Sequence, residues 1–196
     1  MKTREQWLLE AIEGVKPLFK NAGQELPPVK VSVGFPPVGG LRRSRRVIGV
    51  CFAKTATKDN VPQIFINPTI EDVDNECGIL ATLVHELVHA LGIHGHGKSF
   101  RDVAVAVGLT GQMRSTIASP WLVAELKGIV RTIGSFPGAA IVSPMGGPDS
   151  PLKRDKCRMN KCACPECGYT ARVAKKWLEL GAPVCPCCNI QMREEL

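Results

Sequence analysis

HELVHALGIHGHGKSF, residues 85–100, packs all four histidines of the chain into twelve positions around one glutamate. Positions four apart on a helix share one face about 6 Å apart, so the imidazoles of His85 and His89 can both reach a single ion at about 2 Å. Glu86 lies too far round the helix to join them as a ligand in the same plane. It is near enough to act on water at the ion, which is the role of general base in zinc hydrolysis. Chance placement on a core helix would strand three polar groups among Leu, Val and Ala, a costly arrangement unless something pairs them.

A third ligand is needed, and geometry constrains it. His96 is seven residues past His89, which on an unbroken helix would set it about 10.5 Å further along and out of reach. The helix must therefore end and the chain fold back, with Gly92, Gly95 and Gly97 supplying the backbone freedom. His94, five residues on, competes for the role, and Asp102 or Glu125 would be acidic alternatives. The metzincin signature asks for a histidine six residues past the second, where this chain has Gly95, and no Met-turn follows.

Outward from this stretch, CGILATLVHELVHAL at 77–91 reads as a core helix, apolar nearly all round, capped by Asp74 or Asn75 and stopped at Gly92. Ser99 with Asp102 resembles a capping box for a short helix carrying Phe100, Val103, Ala104 and Val107. Ser119 and Pro120 open a third, with Leu122, Val123, Leu126, Ile129, Val130 and Ile133 in one stripe before Gly134. Upstream, residues 3–20 place Trp7, Leu8, Ala11, Ile12, Val15 and Phe19 at helical spacing. Three short strands are expected at 29–33, 47–52 and 63–67, the first two separated by the loop PPVGGLRRSRR with its arginines exposed. Residues 136–152, rich in proline and glycine, read as a linker between a first domain at 1–135 and a second at 153–196.

The second domain is dominated by cysteine: KCACPECGYTARVAKKWLELGAPVCPCCNIQM, residues 161–192, holds six of the nine in the chain. Cys164 and Cys167, then seventeen residues, then Cys185 and Cys188 match the spacing of a structural four-thiolate zinc site. Cys162 and Cys187 offer alternative registers, while Cys51, Cys77 and Cys157 have no partner pattern. Tyr169 and Trp177 are expected to pack the minimal core of such a ribbon, which has little else to bury.

The net charge of +7 has two basic foci. Arg42, Arg43, Arg45 and Arg46 form one; Lys153, Arg154, Lys156, Arg158, Lys175 and Lys176 belong to the other, with Lys161 and Arg172 near by. Such foci suit phosphate contact, and DNA, single-stranded or duplex, is the expected partner. No stretch has the roughly 18 apolar residues of a membrane span, and the amphipathic start lacks the apolar run of a signal peptide. A soluble, cytoplasmic, monomeric protein is expected, with thiols kept reduced and free for metal.

The histidine stretch resembles the SprT-like zinc metalloproteases, the group related to Spartan, whose pattern is HExxH, a loop of variable length, then a histidine in an HGxxF context. His96-Gly97-Lys98-Ser99-Phe100 fits that context and His94 does not. The resemblance extends to a leading helix, a small sheet, IFINP before the active-site helix and a cysteine-rich tail. The short loop between the second and third histidines looks like compact versions found in phages, which would place the protein in a host cytoplasm. It implies an α+β fold, a zincin-like domain of N-terminal helix, three-stranded sheet and active-site helix, followed by a zinc ribbon. It further implies one catalytic zinc on His85, His89 and His96, Glu86 as base, one structural zinc, and a protein substrate near nucleic acid.

Two functions follow from these readings. In the first, an endopeptidase, residues 63–67 hold an extended substrate by edge pairing, and the oxyanion stabiliser comes from backbone, His94 or an arginine. The second is a non-catalytic, nucleic-acid-associated or transcription-related adaptor in which both zinc sites are structural. It would require four protein donors at the histidine site.

Overall fold

The computed structural model describes residues 2–41, 45–69, 75–139 and 159–195, the side chains of Asn75 and Glu76 excepted. These form a mixed α+β chain with five helices and small sheets, dividing into two compact units within Met1–Asp149 and Ser150–Leu196.

In the first unit, α1 (Arg4–Asn21) begins at a capping box: the Gln6 amide donates to the Thr3 hydroxyl, and the Thr3 amide to the Gln6 side chain. Its stripe of Trp7, Leu8, Ala11, Ile12, Val15 and Phe19 is buried throughout, as the helical spacing predicts. Of the linker expected at 136–152, residues 136–139 pack on this helix. Phe136 meets Trp7 edge-on at 5.0 Å and Arg4 donates to the Pro137 carbonyl. Residues 140–152 lie outside the described residues.

Strands β1 (Lys30–Val33), β2 (Gly49–Phe52) and β3 (Gln63–Ile66) form a sheet in the order β1-β3-β2, with β1 parallel and β2 antiparallel to β3. The central position of β3 corrects one expectation. Its backbone is paired on both sides, so residues 63–67 have no edge to offer a substrate. At the base of the arginine loop, the Asn67 side-chain amide donates to the carbonyls of Gly40 and Val47, both at 2.8 Å, which pins the loop to the sheet.

Three helices and a hairpin complete the unit. α2 (Asn75–Ala90) buries Ile79, Leu80, Leu83, Val84, Leu87 and Val88. It stops at Gly92, whose φ of 87° L side chains rarely adopt. α3 (Lys98–Ala106) starts two residues earlier than expected: Gly97 is its N-cap and makes no side-chain cap bond, so the Ser99–Asp102 box does not form. α4 (Pro120–Ile133) is capped by the Ser119 hydroxyl, which accepts from the Leu122 amide. Between α3 and α4 lies an antiparallel hairpin absent from the sequence reading, β4 (Leu109–Gln112) and β5 (Ser115–Ala118).

The second unit is a three-stranded antiparallel sheet, order β7-β6-β8, of β6 (Met159–Ala163), β7 (Thr170–Ala174) and β8 (Arg193–Glu195), with one helical turn, α5 (Lys175–Leu178). Its core is Cys162, Cys164, Cys185 and Met192. Tyr169 and Trp177, expected inside, stand 45% and 55% exposed, which corrects that expectation. The clustered thiols and Met192 leave the rings no interior to fill.

Candidate metal centres

Among the described residues, two groups of side chains bring ligand atoms within 4.8 Å of one another: His85, His89 and His96, and Cys164, Cys167, Cys185 and Cys188. In the first, His96 Nε2 lies 3.2 Å from His85 Nε2 and 3.3 Å from His89 Nε2. Three donors at about 2.05 Å from a tetrahedral zinc would stand about 3.3 Å apart. The donor set therefore fits zinc in both kind and spacing.

Each element contributes for a local reason. α2 presents His85 and His89 one turn apart. The chain then turns back through Gly92 and Gly95, with φ of 87° and 74°, and returns His96 to the same point instead of further along the axis. Phe100, buried at the start of α3, sits beneath all three imidazoles, its ring 4.8, 4.7 and 4.9 Å from those of His85, His89 and His96. This apolar floor is the physical content of a phenylalanine four residues past the third histidine.

The outward nitrogens are also placed. His85 Nδ1 is 2.8 Å from the Thr116 hydroxyl on β5, and His89 Nδ1 donates to the Ile93 carbonyl at 2.8 Å. With Nδ1 carrying the proton, each Nε2 lone pair is free for a metal. Burial holds His85 down to about 4, helped by the charges His89 and His96 would carry; burial likewise lowers His89 and His96. All three shifts favour the neutral imidazole, the form that ligates.

Glu86 is 5% exposed. Burial raises its pKa to about 8, against the lowering effect of a hydrogen bond from the Cys51 amide. The Asn67 amide donates to the carbonyl of Ile48, just before β2, so in the antiparallel alternation Val50 and Phe52 bond β3 while the Cys51 N–H turns to the outer edge, available to hold the carboxylate. Gly49 makes room for this approach: a Cβ there would lie 2.7 Å from Glu86 Oε1 and 2.6 Å from Thr82 Cγ2. Arg114, at the tip of the β4–β5 hairpin two residues from Thr116, is close enough for its charge to help hold His96 neutral, after burial.

Neither Asp102 nor Glu125 joins the group, and His94 is exposed beside it. Thr116, Arg114, Ile93 and Cys51 were missed in the sequence. The hairpin that carries the first two turns on Met113 and Arg114, with none of the Asn-Gly or Gly-containing pairs that mark a two-residue turn.

The cysteine group is built from two matching knuckles. The Gly168 amide donates to the Cys164 carbonyl and the Cys164 amide to the Tyr169 carbonyl; Asn189, Cys185 and Ile190 repeat the pattern. Gly168 and Asn189 occupy equivalent positions at φ of 72° and 56°, conformations these two residue types tolerate. Cys167 Sγ and Cys185 Sγ are 3.6 Å apart, close to the roughly 3.8 Å edge of a tetrahedral zinc–thiolate site. The cluster fits a zinc ribbon. Cys162 is buried on β6 and Cys187 is exposed, and neither enters the group.

Of the basic residues, Arg45, Lys175 and Lys176 are exposed, and Lys176 Nζ sits 4.8 Å over the Trp177 ring. Arg46 is partly buried and donates to the Thr69 hydroxyl. Arg42, Arg43, Lys153, Arg154, Lys156 and Arg158 lie outside the described residues. No helix among the described residues is long and apolar enough to cross a membrane. No family model, no curated protein and no solved structure matches the chain.

Proposed function

We propose that the chain is a zinc-dependent endopeptidase of SprT-like type, a zincin-like unit followed by a zinc ribbon, acting on proteins bound to nucleic acid. The observation that carries this reading is the convergence, among the described residues, of three imidazole nitrogens beside a buried carboxylate. A purely structural site closes with four protein donors, whereas three leave a position open for reactants. His85, His89 and His96 would hold the ion, which when bound supplies Lewis acidity to a scissile carbonyl and to water.

The chain's own residues do the rest. Thr116 and the Ile93 carbonyl lock the rings of His85 and His89 by their Nδ1 atoms. Glu86, its carboxylate form favoured beside a dication, takes a proton from the attacking water and returns it to the leaving amine. Arg114, reaching over from the hairpin tip, stabilises the negative charge that develops on the carbonyl oxygen. The outer edge of β2 is the strand an extended substrate would meet beside Glu86.

Exposed Lys175 and Lys176 with the outward rings of Trp177 and Tyr169 favour contact of the ribbon with phosphates and unpaired bases. The test is Glu86→Gln in the full chain, assayed on an unfolded protein with and without single-stranded DNA. Zinc content should be unchanged and cleavage lost in both conditions; retained cleavage refutes the mechanism.

A further inference from the structure

We infer that a cavity behind His89 is a side-chain subsite that selects polypeptides bearing a large apolar residue beside the bond to be cut. This inference rests on the peptidase reading above. The cavity has a volume of about 500 Å³ and lies between the C-terminal end of α2 and the loops that enter β1, leave β2 and enter β3. His89 both lines the cavity and belongs to the histidine group, so the two adjoin.

The lining states what the cavity takes. Pro27, Pro28 and Pro62 stiffen three of its approaches, and Ala53, Val61 and Leu91 add aliphatic surface. Proline rings cannot rotate out of the way, so the space is preformed and little ordering is needed when it fills. Glu25, Lys54, Thr55, Asn60 and His94, all exposed, supply its polar lining, and none of them is buried to select a charge. A cavity of this size exceeds one methyl group and accommodates a leucyl or phenylalanyl side chain, whose burial is worth roughly 10- to 100-fold in affinity.

The experiment uses the zinc-loaded full chain and a series of aminoacyl hydroxamates, differing only in side chain: glycyl, leucyl, phenylalanyl and lysyl. Affinity is measured by calorimetry, so the readout does not depend on turnover. The subsite predicts that leucyl or phenylalanyl binds roughly 10- to 100-fold more tightly than glycyl, and lysyl gains less. In Ala53→Trp, which fills the cavity, that gain should vanish while the glycyl affinity holds. A glycyl compound that binds the wild type with no gain down the series overturns the subsite and leaves the metal centre standing. Failure of every hydroxamate to bind a chain with two zincs overturns the open centre itself, and the subsite with it. The wild-type series decides the matter alone if Ala53→Trp does not fold.

Discussion

Replacing Thr116 with valine tests the part of the metal centre that only the fold reveals. The Thr116 hydroxyl, 2.8 Å from His85 Nδ1, is placed to accept the Nδ1 proton, the arrangement that leaves the Nε2 lone pair facing the other two imidazoles. Valine keeps the shape and removes the acceptor. The Nδ1–H is then left unpartnered in a half-buried site, at a cost of about 1–3 kcal/mol, and the opposite tautomer, which blocks Nε2, becomes competitive. Loss of such an outer partner typically lowers metal affinity by about 10–100-fold, equivalent to about 1.4–2.7 kcal/mol. The equivalent bond at His89 goes to a backbone carbonyl and cannot be deleted this way. Competition against a chromophoric chelator, run on chain loaded with zinc, reads the affinity of the histidine group, with the four-thiolate group as internal control. Thr116→Val should weaken only the histidine site by that factor. Wild-type affinity in the variant would mean that the hairpin does not orient His85.

Three further outcomes are expected. With metal removed, Glu86 has a folded pKa of about 8 against 4.5 unfolded, so its stabilising protonated form is present at low pH and lost as pH rises. From pH 6.5 to 8.0 the wild type should lose about 2 kcal/mol relative to Glu86→Gln, and parallel denaturation curves would contradict this. Gly49→Ala should push Glu86 aside, costing about 1–3 kcal/mol and most of the cleavage activity with both zincs retained; unchanged turnover would show the carboxylate placed otherwise. Arg114→Ala should lower kcat roughly 100-fold without changing zinc content, with partial rescue by Arg114→Lys, and an unaltered kcat would remove it from the mechanism.

The parts of this protein visible in sequence are those whose physics is local. The buried stripe of α1 repeats at helical period, the end of α2 is marked by a glycine, and the spacing of Cys164, Cys167, Cys185 and Cys188 is that of two tight turns. His96 was within reach because glycines announce a chain reversal. The β4–β5 hairpin was not: Leu-Thr-Gly-Gln and Ser-Thr-Ile-Ala alternate weakly, and the strands are joined by a pair without turn preference. Thr116 acquires its role only through contact with a residue 31 positions away. The order of the sheet, and hence the closure of β3 to any substrate, depends likewise on a parallel pairing across some thirty residues that no local pattern encodes. The exposure of Tyr169 and Trp177 is not encoded locally: it follows from a core in which clustered thiols and Met192 take the place of apolar filling.

Total zinc per chain, counted by elemental analysis after gel filtration on the wild type, His96→Ala and His94→Ala, tests the central claim most directly. An open three-histidine centre beside a four-thiolate site predicts two zincs in the wild type and in His94→Ala, and one in His96→Ala. One zinc in all three proteins would mean that the histidines hold no ion, and the hydrolytic reading would lose its chemical basis.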